Sequence, residues 1–189
     1  MQKDVFSGLK LDNGEPIYTQ EYIQSLRDAD KKHPDKLKII AQRGGQERML
    51  SIDADIKIVG GSRGGSKSFS SLMEVLKDIK NPDFHATILR NEKDDLQSLV
   101  TDSYKLFSQF GTYNKSQNDM TWNFDNGGWL KFSYYAGAYQ DFKTRFQGRQ
   151  YAYVCIDEGT QCPYKKFKYL LTNNRNAAHI RNRFWITCN

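Results

Sequence analysis

The run Gly60-Gly61-Ser62-Arg63-Gly64-Gly65-Ser66-Lys67-Ser68 gathers glycine, hydroxyl and ammonium groups into one turn. It follows a short, mostly apolar segment, Ile56-Lys57-Ile58-Val59. Glycines let the backbone curl so that successive N–H groups point inward at an anion. A helix starting at this point adds the positive end of its dipole. The ammonium of Lys67 can then reach the β- and γ-phosphates of a nucleotide, and the Ser68 hydroxyl can bind Mg²⁺.

The usual pattern for such a loop is G-x-x-x-x-G-K-[ST]. The matching window is Gly61, Ser62, Arg63, Gly64, Gly65, Ser66, Lys67 and Ser68, and all eight are candidate nucleotide contacts. Ser66 departs from the pattern by standing where the last glycine belongs. The loop tolerates this if residue 66 needs no positive φ, or if a neighbouring glycine supplies the turn. Downstream, Phe69, Leu72, Met73, Leu76 and Ile79 fall on one face of a helix.

Magnesium and water activation need a second element. Tyr151-Ala152-Tyr153-Val154-Cys155-Ile156 is a largely apolar strand that ends in Asp157-Glu158. Ligands of parallel sheets bind at the carboxyl ends of strands. Two strands ending at the same edge would bring Asp157 to Lys67 and Ser68. Asp157 would then serve the Mg²⁺ shell, and Glu158 would polarise the attacking water from hydrogen-bond reach. The adjacent glutamate favours hydrolysis by a motor-type ATPase. No Asn-Lys-x-Asp guanine-reading motif is present, so ATP is expected over GTP. Gln46 precedes the first strand. Its amide offers the donor and acceptor that adenine's edge requires, although an exposed polar loop residue would fit the same position.

The elements that must hold these groups alternate along the chain. Strands are expected near Ile56–Val59, His85–Leu89, Met120–Asp125, Trp129–Tyr135, Tyr151–Ile156 and Arg183–Cys188. Helices are expected at Tyr18–Ala29, after Lys67, over residues 92–110 and at Pro163–Leu171. Asn126-Gly127-Gly128 joins two strands as a hairpin turn. Tyr139–Gln150 is polar and basic and holds Lys143, Arg145 and Arg149. The pattern predicts an α/β fold of the P-loop NTPase, RecA/ASCE-like type. Its sheet is mostly parallel and flanked by helices, with the antiparallel hairpin at one edge. Residues 1–40 read as a polar, partly helical extension, and 41–189 as the ATPase domain.

At 189 residues the chain can bury a substantial core, with 38% hydrophobic and 13% aromatic residues. The net charge of +6 suits a polyanionic partner, though it is also ordinary for a soluble protein. Cys155, Cys162 and Cys188 lack metal-ligand spacing and fit a reducing compartment. His33, His85 and His179 form no cluster. No apolar run reaches membrane-spanning length, and no membrane association is expected.

The order of motifs resembles a known family. Gln46, the glycine-rich loop, Arg90 after the second strand, Phe146-Gln147-Gly148-Arg149-Gln150, Asp157-Glu158 and Thr187-Cys188-Asn189 occur in sequence. That order is similar to the ATPase domain of tailed-phage large terminase subunits, over roughly residues 40–189. The resemblance implies a motor that hydrolyses ATP with Mg²⁺ and moves double-stranded DNA into a preformed capsid. It implies a homo-oligomeric ring, a portal protein and a small terminase subunit as partners, and the cytoplasm of an infected bacterium as location. By position it implies phosphate binding for Lys67, a γ-phosphate sensor in Arg63, the metal-site acid in Asp157, the catalytic acid in Glu158 and the adenine-side amide in Gln46. Thr187-Cys188-Asn189 would be the coupling motif. Arg145 or Arg149 would be a finger offered to a neighbouring subunit, or part of a solvated basic loop. Family members continue into a nuclease domain, so the chain is expected to be truncated before one and to cut no DNA. Two further readings share the same motifs: another DNA-dependent ATPase or helicase, and a nucleotide-binding module inert in isolation.

Overall fold

A computed structural model describes residues 41, 45–61, 66–114, 116, 119–177 and 179–188. The expected helix Tyr18–Ala29 and His33 lie outside the described residues, as do Ser62, Arg63, Gly64, Gly65 and Asn189.

Among the described residues, seven strands form one sheet. They are β1 (Ile56–Val59), β2 (His85–Arg90), β3 (Gly111–Asn114), β4 (Thr121–Phe124), β5 (Trp129–Tyr134), β6 (Tyr153–Ile156) and β7 (Arg183–Thr187). Their spatial order is β1-β7-β6-β2-β5-β4-β3. The first five strands in that order run parallel; β4 pairs antiparallel with β5, and β3 antiparallel with β4 at the far edge. The fold is thus the mixed α/β type expected, with one more antiparallel strand than the sequence pattern revealed. Gly111–Asn114 carries little strand signal because, on an edge strand, it alternates only between half-buried and exposed.

The helices are α1 (Gly45–Ser51), α2 (Lys67–Val75), α3 (Leu96–Phe107), α4 (Tyr139–Phe146) and α5 (Tyr164–Asn173). They cover both faces of the sheet. Leu72, Leu99, Ala86, Ile88, Tyr153, Cys155 and Trp185 meet on the face of α1, α2 and α3. Phe142, Phe146, Leu170, Val154, Ile156 and Phe184 meet on the other, under α4 and α5. The two faces draw alternate residues of the same central strands. All four residues of β6 are therefore buried, as a strand covered on both sides requires.

Two helices were not evident in the sequence. The polar stretch Tyr139–Gln150 contains α4, because Phe142 and Phe146 stand one turn apart and pack fully buried against Tyr151 and Leu170. Arg145 is therefore on a helix, not in a solvated loop. Helix α1 lies in a segment with little apolar periodicity and is held by Met49.

Strand β1 reverses the expected pattern. It is an edge strand of the described sheet, and Ile56 and Ile58 are 49% and 71% exposed. Lys57 faces inward instead, with its ammonium 3.6 Å from Glu74 and over the Trp185 ring. Glu74, fully buried on α2, also pairs with Lys77 and with Arg183 of β7, each at 2.8 Å. Arg183 reaches Asp78 as well. A shared carboxylate thus ties the strand entering the glycine-rich loop, the helix leaving it and the strand beside it.

The hairpin turn forms where Asn126-Gly127-Gly128 placed it. Gly127 has φ 103°, a conformation that side chains rarely adopt. Among the described residues, no helix is long and apolar enough to cross a membrane.

Candidate active site

Parallel pairing brings five strand ends to one edge of the sheet. Val59, Thr187, Ile156, Arg90 and Tyr134 are the last residues of β1, β7, β6, β2 and β5. Val59 pairs with Thr187 and Arg90 with Tyr134. The glycine-rich loop leaves β1 here, and Asp157-Glu158 leaves β6 here.

Helix α2 begins at Lys67, directly after Ser66. Ser66 has φ 55° and ψ 19°, in the left-handed region. Residue 66 therefore does take a positive φ, against the first condition set for a serine there. The missing glycine costs about 1–2 kcal/mol of backbone strain. Ser70 offsets part of that cost by donating from its backbone N–H and its hydroxyl to the Ser66 carbonyl, both at 2.9 Å. Lys67 is buried, and its ammonium donates to the Gly61 carbonyl at 3.0 Å.

The two halves of the predicted site meet. The Ser68 hydroxyl lies 3.0 Å from Asp157 Oδ1 and 2.9 Å from Oδ2. Asp157 is fully buried. Thr187 donates its hydroxyl to Asp157 Oδ1 at 2.5 Å, and the same hydroxyl accepts the Glu158 N–H at 3.0 Å. Arg90 donates from Nε and Nη2 to Asp157 Oδ2, each at 2.7 Å. The carboxylate is thus held by hydroxyls on one oxygen and mainly by a guanidinium on the other, as a buried charge must be.

Glu158 is half-buried and has φ 57° and ψ 44°. Such a conformation is rare outside glycine and persists only where its surroundings fix it. Three features fix it here. Thr187 takes its N–H, and the Tyr135 hydroxyl donates to its carbonyl at 3.2 Å. Burial, with Cys162 and Glu158 nearby, pushes the Tyr135 phenol well above its ordinary range, so that it stays a donor. Behind Glu158, a Cβ on Gly159 would stand 2.5 Å from Ile186 Cγ2, so only glycine fits the next position.

Gln46 is on α1 and 4% exposed, which excludes the exposed-loop reading. Arg145 is on α4, where Nη1 donates to the Tyr134 carbonyl at 2.5 Å and the guanidinium lies 3.8 Å over the Tyr134 ring. Arg149 is exposed and donates to the Arg145 carbonyl. Both arginines are therefore anchored at the end of β5, two strands from β6.

Arg90 and Tyr135 carried no site role in the sequence reading. Arg90 had an available signal, its place at the carboxyl end of a strand flanked by parallel strands. Tyr135 had none, because a pairing with a backbone carbonyl depends only on the tertiary path.

No curated protein matches the chain. Among solved structures it is similar in fold to the large terminase of a thermophilic bacteriophage, with a TM-score of 0.59 at 17% identity over 77% of this chain and 38% of that one. It is likewise similar to the bacteriophage HK97 large terminase, with a TM-score of 0.59 at 11% identity over 82% of this chain and 34% of that one. The ATPase domain of the Thermus phage P74-26 large terminase gives a TM-score of 0.56 at 11% identity, over 90% of this chain and 68% of that one. The chain thus spans between a third and two fifths of the first two proteins. The family described as terminase large subunit, T4likevirus-type, N-terminal, matches residues 58–189, from β1 through the glycine-rich loop and Asp157-Glu158 to Asn189. Matched over residues 58–189, the chain belongs to that terminase large subunit family.

Proposed function

We propose that this chain is an ATP-hydrolysing motor domain that powers translocation of double-stranded DNA into a viral procapsid. The observation that carries the reading is the contact of Ser68 with Asp157, 89 residues apart in sequence and within 3.0 Å. A hydroxyl and a buried carboxylate are the hard oxygen donors that suit Mg²⁺, so these two residues would hold it. When bound, the ion would neutralise charge on the transferring phosphoryl group. Lys67 would bind the β- and γ-phosphates. Glu158 would orient the attacking water and take its proton, with Thr187 and Tyr135 holding its backbone in place.

Gln46 is proposed to read adenine, Arg63 to sense the γ-phosphate, and Arg145 to act on the nucleotide of a neighbouring subunit in a ring. Support for the ligand comes from the thermophilic-phage large terminase, solved with ADP and with ATP-γ-S. Support for the partners comes from family membership. These partners are double-stranded DNA, a portal protein and a small terminase subunit, met in the cytoplasm of an infected bacterium. No DNA-cutting role is proposed for these residues.

The test is Mg²⁺-dependent ATP turnover by the purified chain, with and without double-stranded DNA, beside Glu158→Gln. Turnover that DNA stimulates and that the substitution abolishes, with nucleotide still bound, is the expected result. Equal turnover by both proteins would remove Glu158 from the chemistry. Binding without turnover in both would reduce the chain to a nucleotide-binding module. Strand separation would favour a helicase.

A further inference from the structure

Arg90 stands at the proposed metal site, and each of its guanidinium nitrogens has a partner. Nε and Nη2 donate to Asp157 Oδ2, and Nη2 also lies 3.4 Å from the Ser68 hydroxyl. Nη1 points the other way, to the Asp95 carbonyl at 2.7 Å and the Ser98 hydroxyl at 3.0 Å, at the start of α3. The side chain is 13% exposed and its carboxylate partner is fully buried. A guanidinium stays charged at any working pH. A cation tethered in this way cannot drift away from Asp157, and it draws on the same two residues, Ser68 and Asp157, that would hold Mg²⁺.

We propose that Arg90 is a built-in competitor of Mg²⁺ for Asp157 and so sets the Mg²⁺ concentration at which nucleotide binds. The inference rests on Asp157 being the metal-site acid, as proposed above. Arg90 satisfies the buried carboxylate through the fixed fork of its donors. A divalent ion must draw on that carboxylate against the guanidinium and lie close to a like charge that stays tied to Asp95 and Ser98. Arg90 is in this sense a positioning residue, acting through Asp157.

The test uses the purified 189-residue chain with N-methylanthraniloyl-ADP as a fluorescent probe, titrated with Mg²⁺. Arg90→Ala is expected to lower the Mg²⁺ midpoint by roughly tenfold, by removing one nearby positive charge. Its melting temperature should fall in EDTA and recover more than wild type's when Mg²⁺ and ADP are added, because Asp157 is left unpaired until the metal arrives. Arg90→Lys keeps a charge but loses the fork, and its midpoint should fall between the two; it serves if the alanine variant does not fold. An unchanged or higher midpoint in a folded variant overturns the inference, as does an equal loss of melting temperature with and without Mg²⁺. If probe binding by wild type is indifferent to Mg²⁺ and to Asp157→Asn, the metal-site reading itself fails and the inference falls with it.

Discussion

The Thr187 side chain accepts the backbone N–H of Glu158 at 3.0 Å, across the gap between two parallel strands. Its own proton goes to Asp157 at 2.5 Å. One hydroxyl therefore orients both acids of the site. Thr187→Val takes the partner from the Glu158 N–H, at a cost of about 1–3 kcal/mol, and leaves Asp157 Oδ1 with the Ser68 hydroxyl alone. The expected outcome is nucleotide binding close to wild type with turnover reduced by about tenfold or more, and recovery in Thr187→Ser. Probe-binding and turnover assays side by side would show it; a parallel loss of both would mean that Thr187 only supports the fold.

Ser66 occupies the left-handed region with φ 55°. Ser66→Gly should relieve about 1 kcal/mol of strain and raise the melting temperature by roughly 2–4 °C for a domain of this size. The glycine's greater freedom in the unfolded chain offsets part of the gain. Thermal unfolding by circular dichroism measures it, and a lower melting temperature would contradict the strain.

Burial lowers Lys57 from 10.5 to about 8, against the pull of Glu74 and with the push of Lys77 and Arg183. The folded value lies below the unfolded one, so between these limits the unfolded chain holds more protons. This group's contribution to stability therefore rises with pH over that interval. Buried tyrosines and the buried Cys155 thiol, held above their ordinary ranges, contribute in the opposite direction. The comparison must therefore be with Lys57→Met. Urea unfolding at pH 7.5 and 9.5 should show wild type gaining stability relative to the variant as pH rises. A constant difference would show that Lys57 does not titrate there.

Removing one member of the buried cluster should cost more than titrating it. Glu74→Ala strands Lys57 and Arg183 without their shared carboxylate, and should destabilise the fold by about 3–5 kcal/mol. Replacing an exposed partner, as in Lys105→Ala beside Asp102, should change stability by less than about 0.5 kcal/mol. Denaturant midpoints of the two variants make the contrast.

Cys155 is fully buried on β6, and burial beside Asp157 pushes its thiol well up. Cys162 and Cys188 are partly exposed. An aromatic disulfide reagent at pH 8 should leave one thiol unreacted until denaturant is added. Rapid reaction of all three in native buffer would contradict the packing of β6.

Much of this molecule was legible in the sequence because its signals are local. Glycines ahead of Lys67-Ser68, an apolar run ending in Asp157-Glu158, and Gly127 between two strands each express backbone or burial preferences that neighbouring residues decide. They fixed the fold class, most element positions and the two halves of the candidate site. Helix α4 was hidden because its two anchors, Phe142 and Phe146, are set among charges that face solvent.

Only the tertiary structure decided the rest. It placed Lys57 inside and Ile56 and Ile58 outside, because a buried carboxylate on α2 and an arginine on β7 could be shared only from one face. It clamped Glu158 between Thr187 and Tyr135, and it brought Arg90 onto Asp157. Those partners are 23 to 67 residues apart in the chain. Their meeting follows from which strands pair and where each one ends, a property of the sheet as a whole that no short stretch of sequence carries.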